Sequence, residues 1–227
     1  MIPWNQKLKK HKLVITIFML FTLNVTSAFS ELQFKGGIFG GINYSKYAGR
    51  DLQRDSDYRK HYIFGFFLRI YPSPKFYVQP EIIYLNKGSN DDWMAGVDHY
   101  RIETQLTYID FSIPAGIDIS DFFSFLFGPY FGVYLNGKQS ESVNYGEKKE
   151  FEIREGYLSN HDYGIMIGTL INFTNHFSFG VRYYNGLKGL YRNYANYYGV
   201  DPEPGPSNDK YLGIRNSYFA IHLCIDF

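Results

Sequence analysis

Nine charged side chains stand out by what surrounds them. Lys35, Arg69, Glu81, Lys87, Asp110, Asp118, Asp162, Arg182 and Asp226 each lie in a stretch where bulky apolar residues alternate with glycine, serine or tyrosine. Four are basic and five acidic. On a strand, successive side chains point to opposite faces. Every one of the nine then falls on the face that carries the glycines, and none falls on the apolar face. Such a set can neutralise itself as buried ion pairs or line a narrow pore or proton path. Lys35, Arg69, Glu81, Asp110, Asp118, Arg182 and Asp226 are the candidate interior charge network. Removing one partner of a buried pair strands the other charge, which is costly.

Other reactive residues suggest less. Membrane hydrolases and acyltransferases need His with Ser or Asp. His61, His99, His161, His176 and His222 have no serine motif at a fixed spacing, so no catalytic residue is assigned and no enzyme is expected. His222 and Cys224 share a face, but two ligands do not make a zinc site. The single cysteine excludes an intrachain disulfide and a four-cysteine metal site. No metal site and no cofactor are expected.

Charges can be sorted this cleanly only by regular strands, and the composition agrees. The chain has 227 residues, with 22 Tyr, 21 Phe and 22 Gly and a mean hydropathy of −0.28. Lys and Arg number 23 against 22 Asp and Glu. That balance gives no basic footprint for nucleic acid. The first thirty residues read as an export signal. Lys7, Lys9, Lys10 and Lys12 precede the apolar run Leu13 to Val25, and Ala28 and Ser30 fit a signal-peptidase site before Glu31. Those four lysines leave with the signal, so 23 less 4 gives 19 basic against 22 acidic side chains, a net of −3. Residues 31–227 are expected to form one domain. They contain no apolar run long enough for a spanning helix. A chain that stays in a membrane without such a helix must close its strands into a barrel, so that every backbone polar group is paired.

Eight strands are expected at 32–44, 61–71, 76–87, 106–118, 123–136, 162–173, 177–187 and 217–227. Short connections alternate strictly with long polar ones at 45–60, 88–105, 137–161 and 188–216. In the fifth strand Phe123, Phe125, Phe127, Phe131, Val133 and Leu135 oppose Ser124, Gly128, Tyr130, Gly132, Tyr134 and Asn136. The fold class that follows is all-β: an eight-stranded antiparallel up-and-down transmembrane β-barrel, with tight periplasmic turns and longer outer loops. A lipid-facing Arg or Lys costs roughly 2–4 kcal/mol at the bilayer midplane, which accounts for the uncharged outer face. Among loop residues, Trp93, Tyr191, Tyr194, Tyr197 and Tyr198 are the candidate contacts to a partner.

The strands also carry familiar phrases. Gly36-Gly37-Ile38-Phe39-Gly40-Gly41-Ile42-Asn43, Val78-Gln79-Pro80-Glu81-Ile82-Ile83-Tyr84 and Tyr108-Ile109-Asp110-Phe111 are the first three. Gly128-Pro129-Tyr130-Phe131-Gly132, Asp162-Tyr163-Gly164 and Arg182-Tyr183-Tyr184-Asn185-Gly186-Leu187 follow in order. The set resembles the PorT-like outer membrane β-barrel family, with Ser112 where that family usually has proline. The last strand alternates apolar residues and ends in Phe227, which resembles the signal read by the barrel-assembly machinery. The resemblance implies a barrel of Gram-negative outer membranes, and a link to protein secretion for one member. The expected partners are therefore the lipid bilayer, the barrel-assembly machinery during biogenesis and a further envelope or secretion protein. The expected role is a non-enzymatic outer-membrane protein, its interior filled by side chains, that presents loops to a surface or partner. A component of a secretion or envelope-assembly complex and a narrow channel are the alternatives.

Overall fold

The computed structural model describes residues 32–52, 55–153, 158–191 and 213–227. The expected export signal lies outside them. Thirteen strands follow in chain order: β1 (Gln33–Ala48), β2 (Asp55–Asp57), β3 (Arg59–Ser73), β4 (Phe76–Val78), β5 (Glu81–Lys87), β6 (Asn90–Ala95) and β7 (Asp98–Ser112). Then come β8 (Ala115–Ser120), β9 (Phe123–Val143), β10 (Lys149–Glu152), β11 (His161–Asn172), β12 (Phe177–Gly186) and β13 (Arg215–Asp226).

Two prolines each split a longer stave of the sheet into two strands. Proline has no N–H to give to a ladder. Pro80 separates β4 from β5, and Pro114 separates β7 from β8. Both gaps stay stitched: the Gln79 N–H donates to the Pro114 carbonyl at 2.8 Å, and the Leu68 N–H to the Pro80 carbonyl at 3.0 Å. Each stave pairs antiparallel with the next, and β1 pairs with both β3 and β13. The staves therefore close into a ring.

The faces separate as the alternation requires. Phe64, Phe66, Leu68, Phe111, Ile113, Phe127, Phe131, Ile165, Ile167 and Leu223 are exposed on the outside. Gly65, Arg69, Asp110, Ser112, Gly132 and Gly168 are buried inside. Glycine inside makes room for rings. A Cβ on Gly116 would meet the ring of Tyr77, and one on Gly132 would meet the Asp110 carboxylate.

Strands run further than expected at the long-loop end. β7 begins at Asp98 and β9 continues to Val143, and the two stay paired as far as Tyr100 and Val143. β6 adds to β7, β2 to β6 and β10 to β9, so a sheet stands beyond the ring where loops were expected. The apolar alternation of the sequence fades there, although Ile102, Thr104 and Leu106 of β7 remain buried at every second position. A shift in register between Thr107 and Tyr108 leaves Leu135 as an extra residue on β9. Such a bulge transposes the faces. Asn136, expected inside, is exposed, and Gly137 is buried instead.

Candidate functional site

Two polar clusters stack inside the ring. Nearer the long loops, Lys87 from the end of β5 reaches two carboxylates. Its Nζ lies 2.8 Å from Asp110 on β7 and 3.0 Å from Asp162 on β11. All three side chains are fully buried. One cation faces two anions, so neutral donors make up the difference. Tyr218 Oη donates to Asp110 at 3.1 Å, Asn216 Nδ2 to Asp162 at 3.1 Å and Tyr130 Oη to Asp162 at 3.3 Å. The rings of Tyr108, Tyr130 and Tyr218 stand 4.5, 4.8 and 5.3 Å from Lys87 Nζ. Their π faces add attraction for a desolvated cation.

Nearer the short turns lies a chain of alternating charge. Asp226 on β13 accepts from Arg69 Nη1 at 2.5 Å. Arg69 Nε donates to Gln79 Oε1 at 2.6 Å, and Gln79 Nε2 donates to Glu81. Glu81 accepts from Arg182 Nη1 at 2.8 Å, and the same nitrogen reaches Tyr184 Oη at 3.3 Å. Tyr184 stacks on Tyr218 with centroids 4.3 Å apart and an interplanar angle of 8°. That stack links the lower chain to the upper cluster. His222 is buried as well, its ring 5.0 Å from that of Phe39.

Buried side chains of the long connections pack together above these clusters. Tyr47, Leu158, Leu190, Tyr191 and Ile214 are buried together. Tyr47 and Tyr191 join hydroxyl to hydroxyl at 2.8 Å. Leu158 bridges to Tyr191, the Ser159 N–H donates to the Leu190 carbonyl at 2.8 Å, and the Leu190 N–H to Ile214 at 2.9 Å. Three long connections thus meet over the ring. Gly49, at φ 139°, passes so close to Gly213 that a side chain at Gly49 would strike its carbonyl. The opposite end is open. A cavity of about 520 Å³ lies among the short turns, with Arg69 and Asp226 in its wall.

Of the seven candidate network residues, Arg69, Glu81, Arg182 and Asp226 meet in the lower chain. Asp110 belongs to the upper cluster. Lys35 is exposed and Asp118 half-buried, and both line the short-turn cavity. The upper cluster's centre, Lys87 with Asp162, shows in the sequence only as two inward charges at strand ends, and its polar partners Tyr130, Asn216 and Tyr218 carry no periodic mark. Gln79, the link between Arg69 and Glu81, carried no charge to mark it. Among the loop candidates, Trp93 stacks on Tyr100 at 5.3 Å, and Tyr191 belongs to the cover. Tyr194, Tyr197 and Tyr198 lie outside the described residues. His161 Nε2 sits 2.9 Å from Lys188 Nζ, and its ring lies 5.8 Å from that of Phe131.

Outside the apolar band, Glu103 gathers three cations: Lys148 at 2.6 Å, Arg101 at 3.4 Å and Arg59 at 3.7 Å. Partial burial pushes its carboxyl up, but the hydrogen bond and charge of Lys148, with Arg59 and Arg101, outweigh that and hold it below the ordinary carboxylate value.

The outer membrane protein β-barrel domain family matches residues 17–192, and the chain belongs to that family. No curated protein matches it. Among solved structures it is similar to Ail, the attachment invasion locus protein of Yersinia pestis, in complex with the heparin analogue sucrose octasulfate. That match has 12% identity and a TM-score of 0.45, over 86% of this chain and 99% of that one. Neisserial surface protein A matches at 8% identity and a TM-score of 0.38, over 85% and 97%. OprG of Pseudomonas aeruginosa matches at 9% and 0.29, over 86% and 95%.

Proposed function

We propose that this member of the outer membrane β-barrel family is a sealed eight-stranded transmembrane barrel that displays a sheet of its own above the membrane for contact with a surface or partner. The observation that carries this is the contrast along the molecule's length. The ring is filled by two charge clusters and covered by Tyr47, Leu158, Leu190, Tyr191 and Ile214. Above it, β2, β6, β7, β9 and β10 continue as a paired sheet with Met94, Val97, Tyr145 and Phe151 exposed. An eight-stranded ring is just wide enough for side chains to fill it. An exposed apolar set at the far end of a protruding sheet suits recognition rather than transport. The apolar outer face supports an outer-membrane location, with the short turns in the periplasm after removal of residues 1–30. No catalytic group is assigned.

Cysteine labelling tests both placement and display. The single native cysteine, Cys224, is buried. A Val97→Cys variant should react with a membrane-impermeant maleimide on intact cells. A Lys75→Cys variant should react only after the outer membrane is permeabilised. Equal labelling of both on intact cells would overturn the orientation.

The phrases shared with the PorT-like family favour a second reading, a component of a secretion or envelope-assembly complex. Affinity purification of the tagged barrel from outer membranes under mild detergent tests it: a stoichiometric envelope partner supports it, and recovery of the barrel alone counts against it.

A further inference from the structure

The short-turn end has the chemistry of a ligand site. Its cavity of about 520 Å³ falls within the range of small-molecule pockets, roughly 300–1,000 Å³. Three cations and three carboxylates line it: Lys35 from β1, Arg69 from β3, Lys75 from the β3–β4 turn, Asp118 from β8, Asp121 from the β8–β9 turn and Asp226 from β13. They do not all neutralise one another. Arg69 and Asp226 pair, and Asp118 accepts from Ser124 Oγ at 2.6 Å. Among the described residues, Lys35, Lys75 and Asp121 make no ion pair.

A second, independent observation concerns the cavity wall. Arg69 is 4% exposed, yet its Nη2 has no hydrogen-bond partner, and neither has Oδ1 of Asp226 beside it. Both atoms are shut off from solvent behind the wall, so the charges a ligand can reach are those of Lys35, Lys75, Asp118 and Asp121. An anion alone would face Asp118 and Asp121, and a cation alone would face Lys35 and Lys75. An apolar ligand would leave the charged walls unpaired.

We propose that this cavity binds a small zwitterion from the short-turn side, its carboxylate held by Lys35 and Lys75 and its ammonium by Asp118 and Asp121. A free dipeptide has the right charges, separated by a few ångströms. Binding there would not open the ring, because Arg69, Gln79, Glu81 and Arg182 form the chain behind the site.

Calorimetric titration of the full-length protein in detergent micelles tests this with three probes: Ala-Ala, its N-acetylated form and its C-terminal amide. The zwitterion should bind about tenfold tighter than either capped probe, the size of one lost charge contact. Lys75→Ala and Asp121→Asn, both on exposed turns, should each weaken Ala-Ala binding by about tenfold. Both variants should keep the heat-dependent gel shift of a folded barrel. Equal affinity for all three probes, no saturable heat with any of them, or variants that bind like the parent would each overturn the proposal.

Discussion

The two clusters inside the ring solve the same problem in different ways. The upper one has a single ammonium, two carboxylates, three tyrosine rings and no exposure to solvent. The lower one is a balanced chain, two guanidiniums alternating with two carboxylates through Gln79, and it ends at an open cavity. A buried charge without its partner costs far more than one that can reach water. The upper cluster should therefore tolerate change poorly, and the lower one should soften toward its open end.

Replacement of the shared cation sharpens that contrast most. Lys87→Met leaves Asp110 and Asp162 facing each other across a dry interior. We expect a loss of about 3–5 kcal/mol in guanidinium unfolding of the barrel in lipid vesicles, partly restored by adding Asp162→Asn. Arg69→Met removes a cation from the lower chain, but Asp226 lies at the cavity and can be hydrated. The same titration should show about 1–3 kcal/mol. If Arg69→Met cost as much as Lys87→Met, the difference between the clusters would be broken.

The lower chain was more legible in the sequence than the upper cluster, for a physical reason. Arg69, Glu81, Arg182 and Asp226 sit among clean period-two alternation, because the apolar outside and polar inside are both enforced at that depth. Lys87 and Asp162 stand where that alternation gives out, one at the end of β5 and one at the start of β11. Their partners Tyr130, Asn216 and Tyr218 read as ordinary strand residues, since a hydroxyl or amide aimed at a carboxylate leaves no periodic mark. Leu135 illustrates the same limit. A bulge changes which face each later residue takes, and nothing in Leu135-Asn136-Gly137 announces it. The sheet built by β2 and β6 was hidden because Asp55–Asp57 and Asn90–Ala95 carry no apolar period.

Smaller effects belong to the covered end. Tyr47→Phe removes one hydroxyl contact with Tyr191 but keeps the ring, so about 1 kcal/mol should be lost in the same unfolding experiment. Smallest of all is the protruding sheet's response to acid. Glu103 is held below the ordinary carboxyl value of 4.5 in the folded chain. Its contribution is therefore complete above that value and fades as pH falls through the lower, folded one. The pairs are solvent-screened, so the effect should stay under about 1 kcal/mol. Protection factors of the amides of residues 101–104 and 148–152, corrected for the intrinsic pH dependence of exchange, should fall in that acid window and stay constant between pH 6 and 8. An unchanged profile in Glu103→Gln would show that another group responds.

Conductance across a planar bilayer addresses the sealed interior most directly. Purified full-length protein should give no steady openings at moderate voltage, and Lys87→Ala should give openings only if the upper cluster is what blocks the ring. Stable, frequent openings of the unmodified protein would contradict a filled and covered barrel.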